Sequence, residues 1–234
     1  MTKARRKKPA ALNDQPEVVQ IKQQRRHLKP KSENQAKYLD SITHNRITLC
    51  MGPAGSGKTS LSVGKACNML CNNEIQKIII TRPTIDNGKE LGALPGTPNE
   101  KMHPYLIPVL DEMILYIGPQ KVKELRESNN IEICPLQYMR GRNFHDTFMI
   151  LDEAQNATYK QIKMFITRIG SNSKAVLNGD PTQSDLPRSY RNGFVRCMSQ
   201  LTDLQGVGIC ELQAIDIVRD PIIAKVLERL VDEE

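Results

Sequence analysis

Gly52-Pro53-Ala54-Gly55-Ser56-Gly57-Lys58-Thr59 is the stretch on which the reading of this chain turns. It fits the pattern G-x-x-x-x-G-K-[ST]. The glycines let the backbone wrap a phosphate and aim several N–H groups inward. A helix starting at the same point adds the positive end of its dipole. Lys58 is placed to reach the β- and γ-phosphates, Thr59 to ligate Mg²⁺, and Ser60 stands beside them. The context agrees, because an apolar run (Arg46 to Met51) precedes the loop and a helical pattern (Lys58 to Cys71) follows it.

Outward from the loop, short apolar runs alternate with helical segments. Lys77 to Thr81, Thr147 to Leu151 and Lys174 to Asn178 read as buried strands, and Ile131 to Cys134 and Val207 to Leu212 as further strands. Helices are expected over Glu33 to Ile42, capped by Ser32 with Gln35 as capping-box partner, and over Tyr159 to Ile169, Arg191 to Leu204 and Pro221 to Val231. Continuous apolar strands between helices imply an α/β fold, a mostly parallel sheet covered on both faces, with the loops after the strands gathered on one edge. Thr84 to Pro104, rich in Gly and Pro, reads as a long functional or disordered loop.

Two further motifs belong to that edge. The run TFMIL leads into Asp152-Glu153. An acid there can hold the Mg²⁺ shell, and the next acid can orient or activate water against a γ-phosphate. The run KAVLN leads into Gly179-Asp180-Pro181-Thr182-Gln183, where Gln183 is suited to sense the γ-phosphate, although Gly-Asp-Pro alone is ordinary turn chemistry. A small-molecule kinase must exclude water, so the Asp-Glu pair favours hydrolysis. The catalytic set is therefore Lys58, Asp152, Glu153 and Gln183, acting on a nucleoside triphosphate with Mg²⁺.

Composition sets bounds on the rest. The chain has 234 residues, 39% hydrophobic, with no tryptophan. One aliphatic core of residues 31–234 is expected after a basic tail of residues 1–30. Residues 1–31 hold ten of the thirty-three Lys and Arg and two of the twenty-six acids, a net of +8, which leaves about −1 for the remainder. Such an arm binds polyanions through phosphate contacts or serves only as a solubilising terminus. No apolar run approaches the ~20 residues of a membrane span. The start of the chain lacks the apolar stretch of a secretory signal, so a cytoplasmic location is expected. The six cysteines show no zinc spacing and read as reduced packing residues.

Taken as a series, GPAGSGKT, ILDEAQN and NGDPTQSDL resemble motifs I, II and III of superfamily-1 helicase motors. More closely, the chain is similar to the PhoH family of P-loop ATPases, through NQAKYLD (34–40), ITLCMGPAGSGKTSL (47–61), IIITRP (78–83), LGALPG (91–96), PLQYMRGRNF (135–144), MILDEAQNAT (149–158), QIKMFITRIGSNSK (161–174), NGDPTQSDL (178–186) and IVRDPII (217–223). The resemblance implies a RecA-like core, ATP hydrolysis and a role on RNA or single-stranded nucleic acid. It makes Gln35 the adenine-reading glutamine and puts Arg82 in a nucleic-acid-facing segment. Lys89, Lys101, Arg140 and Arg142 join Arg82 as candidate nucleic-acid contacts.

Superfamily-1 motors close ATP between two such domains, and about fifty residues after Gln183 are too few for a second one. An arginine finger is worth about 10³–10⁵ in rate. The expectation is a homo-oligomeric ring, hexameric by the resemblance, in which Arg168, Arg188, Arg191 or Arg219 completes a neighbour's site. A nucleotide-dependent assembly or remodelling protein without nucleic acid stays open beside the nucleic-acid-stimulated ATPase.

Overall fold

The computed structural model describes residues 25–83 and 98–217, with side chains from residue 107 onward in the second stretch. Residues 1–24, Lys89, LGALPG, Arg219, the helix expected from Pro221 and the side chain of Lys101 lie outside the described residues. In chain order the elements are α1 (Glu33–His44), β1 (Ile47–Met51), α2 (Lys58–Cys71), β2 (Lys77–Thr81), α3 (Pro98–Ile117), α4 (Pro119–Glu127), β3 (Ile131–Ile133), β4 (Thr147–Leu151), α5 (Tyr159–Ile166), β5 (Lys174–Gly179), α6 (Gly193–Leu201) and β6 (Val207–Glu211). Single 3₁₀ turns cover Leu136–Met139, Ala154–Asn156, Pro181–Gln183 and Ala214–Asp216.

Six strands form one sheet in the order β3-β2-β4-β5-β1-β6, and every pairing is parallel. Alternation along each strand divides the core. Cys50, Ile78, Ile80, Phe148, Ile150 and Val176 point to the face covered by α1, α2, α3 and α4. Leu49, Ile79, Met149, Leu151, Ala175 and Leu177 point to the face covered by α5 and α6. Both faces are buried, so the central strands read as unbroken apolar runs. The expected RecA-like α/β class is the one observed.

The strand order places the site. β4, β5 and β1 are neighbours, with Met51 level with Gly179 and Leu151 level with Leu177, while Thr81 of β2 is level with Leu151. The loops after these four strands, bearing the phosphate loop, Arg82, Asp152-Glu153 and Asp180, therefore stand side by side on one edge.

Several expectations need correction. Pro98 to Pro104 is not loop but the start of α3, so Lys101 lies in a helix. The sequence reading does not anticipate α3 or α4. Pro104 and Pro108 suggest loop, yet Val109, Leu110, Met113, Tyr116 and Ile117 are buried at helical spacing. Packing of that stripe against α2 outweighs the proline penalty. α5 stops at Ile166 rather than Ile169. At the start of α1, Gln35 N donates to Ser32 Oγ, but Gln35 Oε1 accepts from Lys31 N (2.8 Å) rather than closing a capping box. Cys71 is exposed and so is not a packing residue.

Candidate active site

The residues after β1 form a tight loop, and α2 begins at Lys58. Gly57, at φ +95°, caps the helix in the left-handed region, where a side chain is strained. A Cβ on Gly57 would also stand 3.1 Å from Gln35 Nε2. Lys58 Nζ lies over the loop, donating to Gly52 O (2.6 Å) and Pro53 O (2.9 Å). Ser56 is buried, with Oγ donating to Pro53 O (2.8 Å). The loop borders a cavity of about 890 Å³. Ala54, Gly55, Gly57, Lys58, Thr59 and Ser60 line it, whereas Gly52, Pro53 and Ser56 only shape the turn.

At one end of the cavity, Thr59 Oγ1 donates to Asp152 Oδ1 (2.8 Å). Asp152 is 2% exposed, and its Oδ2 accepts from Arg82 Nη2 (2.6 Å) and Nε (3.0 Å). Arg82, whose segment the resemblance makes nucleic-acid-facing, thus has its guanidinium held by the buried carboxylate beside the phosphate loop. Two hard oxygen donors from Thr59 and Asp152 meet at the loop, which suits Mg²⁺, a cation that takes about one or two protein oxygens and completes its shell from phosphates and water. Among the described residues no cluster of three His, Cys, Asp or Glu competes as a metal site.

Glu153 adopts φ +57°. Among the described residues, the five other non-glycine residues with positive φ are all Asn or Asp, which tolerate this region. Glu153 is the one among them without that tolerance, and strain of about 1–3 kcal/mol of this kind collects at functional sites. Its Oε2 accepts from Gln155 Nε2 (2.6 Å), while Gln155 Oε1 accepts from Asp180 N (3.0 Å). Gln155, buried and unassigned within the motif ILDEAQN, therefore ties Glu153 to the loop after β5. Gln183, exposed on its 3₁₀ turn, lines the same cavity as Glu153 and Lys58.

Behind the loop, Tyr38 of α1 donates to Asn178 Oδ1 (2.5 Å), and Asn178 Nδ2 donates to Ser62 Oγ of α2 (2.9 Å). Burial pushes the Tyr38 phenol well above its ordinary range, so it stays protonated and can donate. Gln35 is 4% exposed; its Nε2 donates to Ser56 O (2.9 Å) and Asp216 O (3.3 Å), so the side chain already braces the loop.

The remaining cations separate clearly. Arg142 forks onto Glu132 (2.6 and 2.9 Å), with Lys77 also on Glu132 (2.6 Å) and the Phe144 ring beneath the guanidinium. The Arg142 and Lys77 bonds hold the Glu132 carboxyl down at about 2 against the cost of its burial. Arg142 is thus an intrachain partner rather than an open contact. Arg140 is exposed. Arg168 bonds to Met164 O and Arg142 O, at the opposite sheet edge from the phosphate loop. Arg188 and Arg191 are exposed, with Arg191 Nε on Leu186 O. Among the described residues no helix is long and apolar enough to cross a membrane.

A family model described as PhoH-like protein matches residues 27–230. PhoH-like proteins of Mycobacterium tuberculosis (strain ATCC 25618 / H37Rv) and Bacillus subtilis (strain 168) are each 43% identical over 201 residues, 86% of this chain and 57% and 63% of theirs. Protein PhoH of Escherichia coli (strain K12) is 39% identical over 199 residues, 84% of this chain and 56% of its own. The chain thus spans somewhat over half the length of these relatives. Among solved structures, the large terminase from a thermophilic bacteriophage superposes with a TM-score of 0.55 at 12% identity, covering 88% of this chain and 51% of that one. The same terminase in complex with ADP gives 0.53 at 11%, covering 86% and 50%. Those two likenesses speak for the fold alone. The match over residues 27–230, joined to the phosphate loop and the Asp152-Glu153 edge just described, makes this chain a member of the PhoH-like protein family.

Proposed function

We propose that the chain hydrolyses ATP with Mg²⁺ and couples this to RNA or single-stranded nucleic acid. One observation carries the hydrolytic part: Lys58, the Thr59–Asp152 pair, Glu153 and Gln183 all face one cavity beside the phosphate loop. Bound Mg²⁺ would neutralise phosphate charge. Lys58 exchanges its two loop carbonyls for β- and γ-phosphate oxygens. Glu153, with Oε2 held by Gln155, takes a proton from water as its oxygen bonds to the γ-phosphorus and the bridge to the β-phosphate breaks, giving ADP and phosphate. Gln183 offers an amide to the γ-phosphate.

Arg168, Arg188 and Arg191 do not line the cavity. Action of any of them on ATP therefore calls for a neighbouring copy in a ring, six copies being what the resemblance implies. The nucleic-acid part rests on the basic surplus, on exposed Arg140 beside half-exposed Tyr138, and on Arg82, which joins Asp152 to the strand end leading toward residues 84–97.

Phosphate release from ATP, with Mg²⁺ and with chelator, tests the first part. The same assay with single-stranded RNA or DNA at low and moderate salt tests the second. Stimulation that fades with salt is expected. Metal-dependent turnover that no nucleic acid changes would contradict the coupling and favour a nucleotide-dependent assembly protein.

A further inference from the structure

The first turn of α2 sends two neighbouring hydroxyls to different carboxylates. Thr59 turns to Asp152, the metal and γ-phosphate end. Ser60 Oγ instead donates to Glu112 Oε2 of α3 (2.8 Å) and lies 3.1 Å from Tyr116 Oη. Lys58 serves the β- and γ-phosphates, so the Ser60 end is where an α-phosphate and nucleoside must lie. Arg26 is already there: Nη1 is 3.3 Å from Ser60 Oγ and 3.2 Å from Glu112 Oε2.

Arg26 reaches this point because residues 25–31 are seated on the body at three places. Arg26 N donates to Leu115 O (2.7 Å). Leu28 packs beside Gly64 and Tyr116; a Cβ on Gly64 would come within 2.9 Å of Leu28 and 2.5 Å of the Tyr116 ring. Lys31 N donates to Gln35 Oε1 (2.8 Å). His27 and Lys29 line the same cavity. A carboxylate at this end would repel a polyphosphate unless a cation masks it. Arg26 does so with one nitrogen, and among the described residues its Nε and Nη2 make no hydrogen bond. The pair is half-open to solvent and adds little to folding, which leaves ligand binding as the use of so many anchors.

We propose that residues 25–31 form the nucleoside-side wall of the nucleotide site, with Arg26 binding the α-phosphate of ADP or ATP and Glu112 holding Arg26 in position. The proposal rests on the nucleotide reading of this cavity. Hydrogen exchange on the whole protein, with and without saturating Mg·ADP, separates the two. Slower exchange in residues 52–60 and also in 25–31 is expected. No protection at 52–60 would sink the nucleotide reading and this one with it. Protection at 52–60 with 25–31 unchanged would overturn this proposal alone. Arg26→Ala should weaken ADP and ATP binding by the same factor, about tenfold, with Arg26→Lys recovering part of it and the melting temperature unmoved. Unaltered ADP affinity, or a loss confined to ATP, would contradict the α-phosphate assignment.

Discussion

The two ends of the cavity use the same three parts in different surroundings. At one end Thr59, Asp152 and Arg82 meet; at the other Ser60, Glu112 and Arg26. The hydroxyl-to-carboxylate distance is 2.8 Å in both. Yet the Arg82 and Asp152 side chains are 17% and 2% exposed, against 48% and 26% for Arg26 and Glu112. Removing one partner of a buried ion pair costs about 3–5 kcal/mol, whereas an exposed pair contributes about 0–1. One end is therefore fixed by the sheet, as the proposed chemistry on a γ-phosphate requires. The other is loose enough to open for a ligand.

Substitutions can break this contrast. The largest effect is expected at the fixed end: Glu153→Gln should lower turnover about 10²–10⁴-fold with nucleotide affinity kept, as single-turnover kinetics would show. A third carboxylate, away from the cavity, separates structure from catalysis. Glu132 is held at about 2 by Arg142 and Lys77, below its ordinary 4.5. A depressed carboxylate contributes stability that is present above the unfolded value and lost as pH falls through the folded one. Glu132→Gln should thus cost roughly 1–3 kcal/mol at neutral pH, solvent screening part of the shift, and flatten the decline in stability between about pH 4.5 and 2. Urea unfolding across that window checks it, with turnover unchanged.

Asn178→Ala sharpens the fixed end further. It strips Tyr38 and Ser62 of their buried partner and should cost about 1–3 kcal/mol in the same assay. The smallest change in stability belongs to the open end. Glu112→Gln should move unfolding by less than about 1 kcal/mol while raising the KM for ATP and sparing kcat. A kcat collapse there would erase the distinction between the ends.

The same division explains what the sequence reveals. Lys58–Cys71, Lys77–Thr81 and Thr147–Leu151 are legible to the residue, because a glycine loop or a doubly buried strand leaves an unbroken local signal. Asp152 and Glu153 follow from such a strand. Gln155 stands inside a legible motif, but its bridge from Glu153 to Asp180 N depends on how two loops meet. Glu112 and Arg26 are 86 positions apart. Their meeting requires α3, whose apolar stripe from Val109 to Ile117 is present in the sequence but obscured by Pro104 and Pro108. Arg82 and Arg142 read as open cations because nothing local announces the carboxylates, Asp152 and Glu132, that hold them.

The account hangs on Lys58 bridging loop and triphosphate. Phosphate release from Mg·ATP should fall at least ~10²-fold in Lys58→Ala, with its thermal midpoint close to that of the parent. A folded Lys58→Ala protein that cleaves ATP as fast as the parent would contradict it.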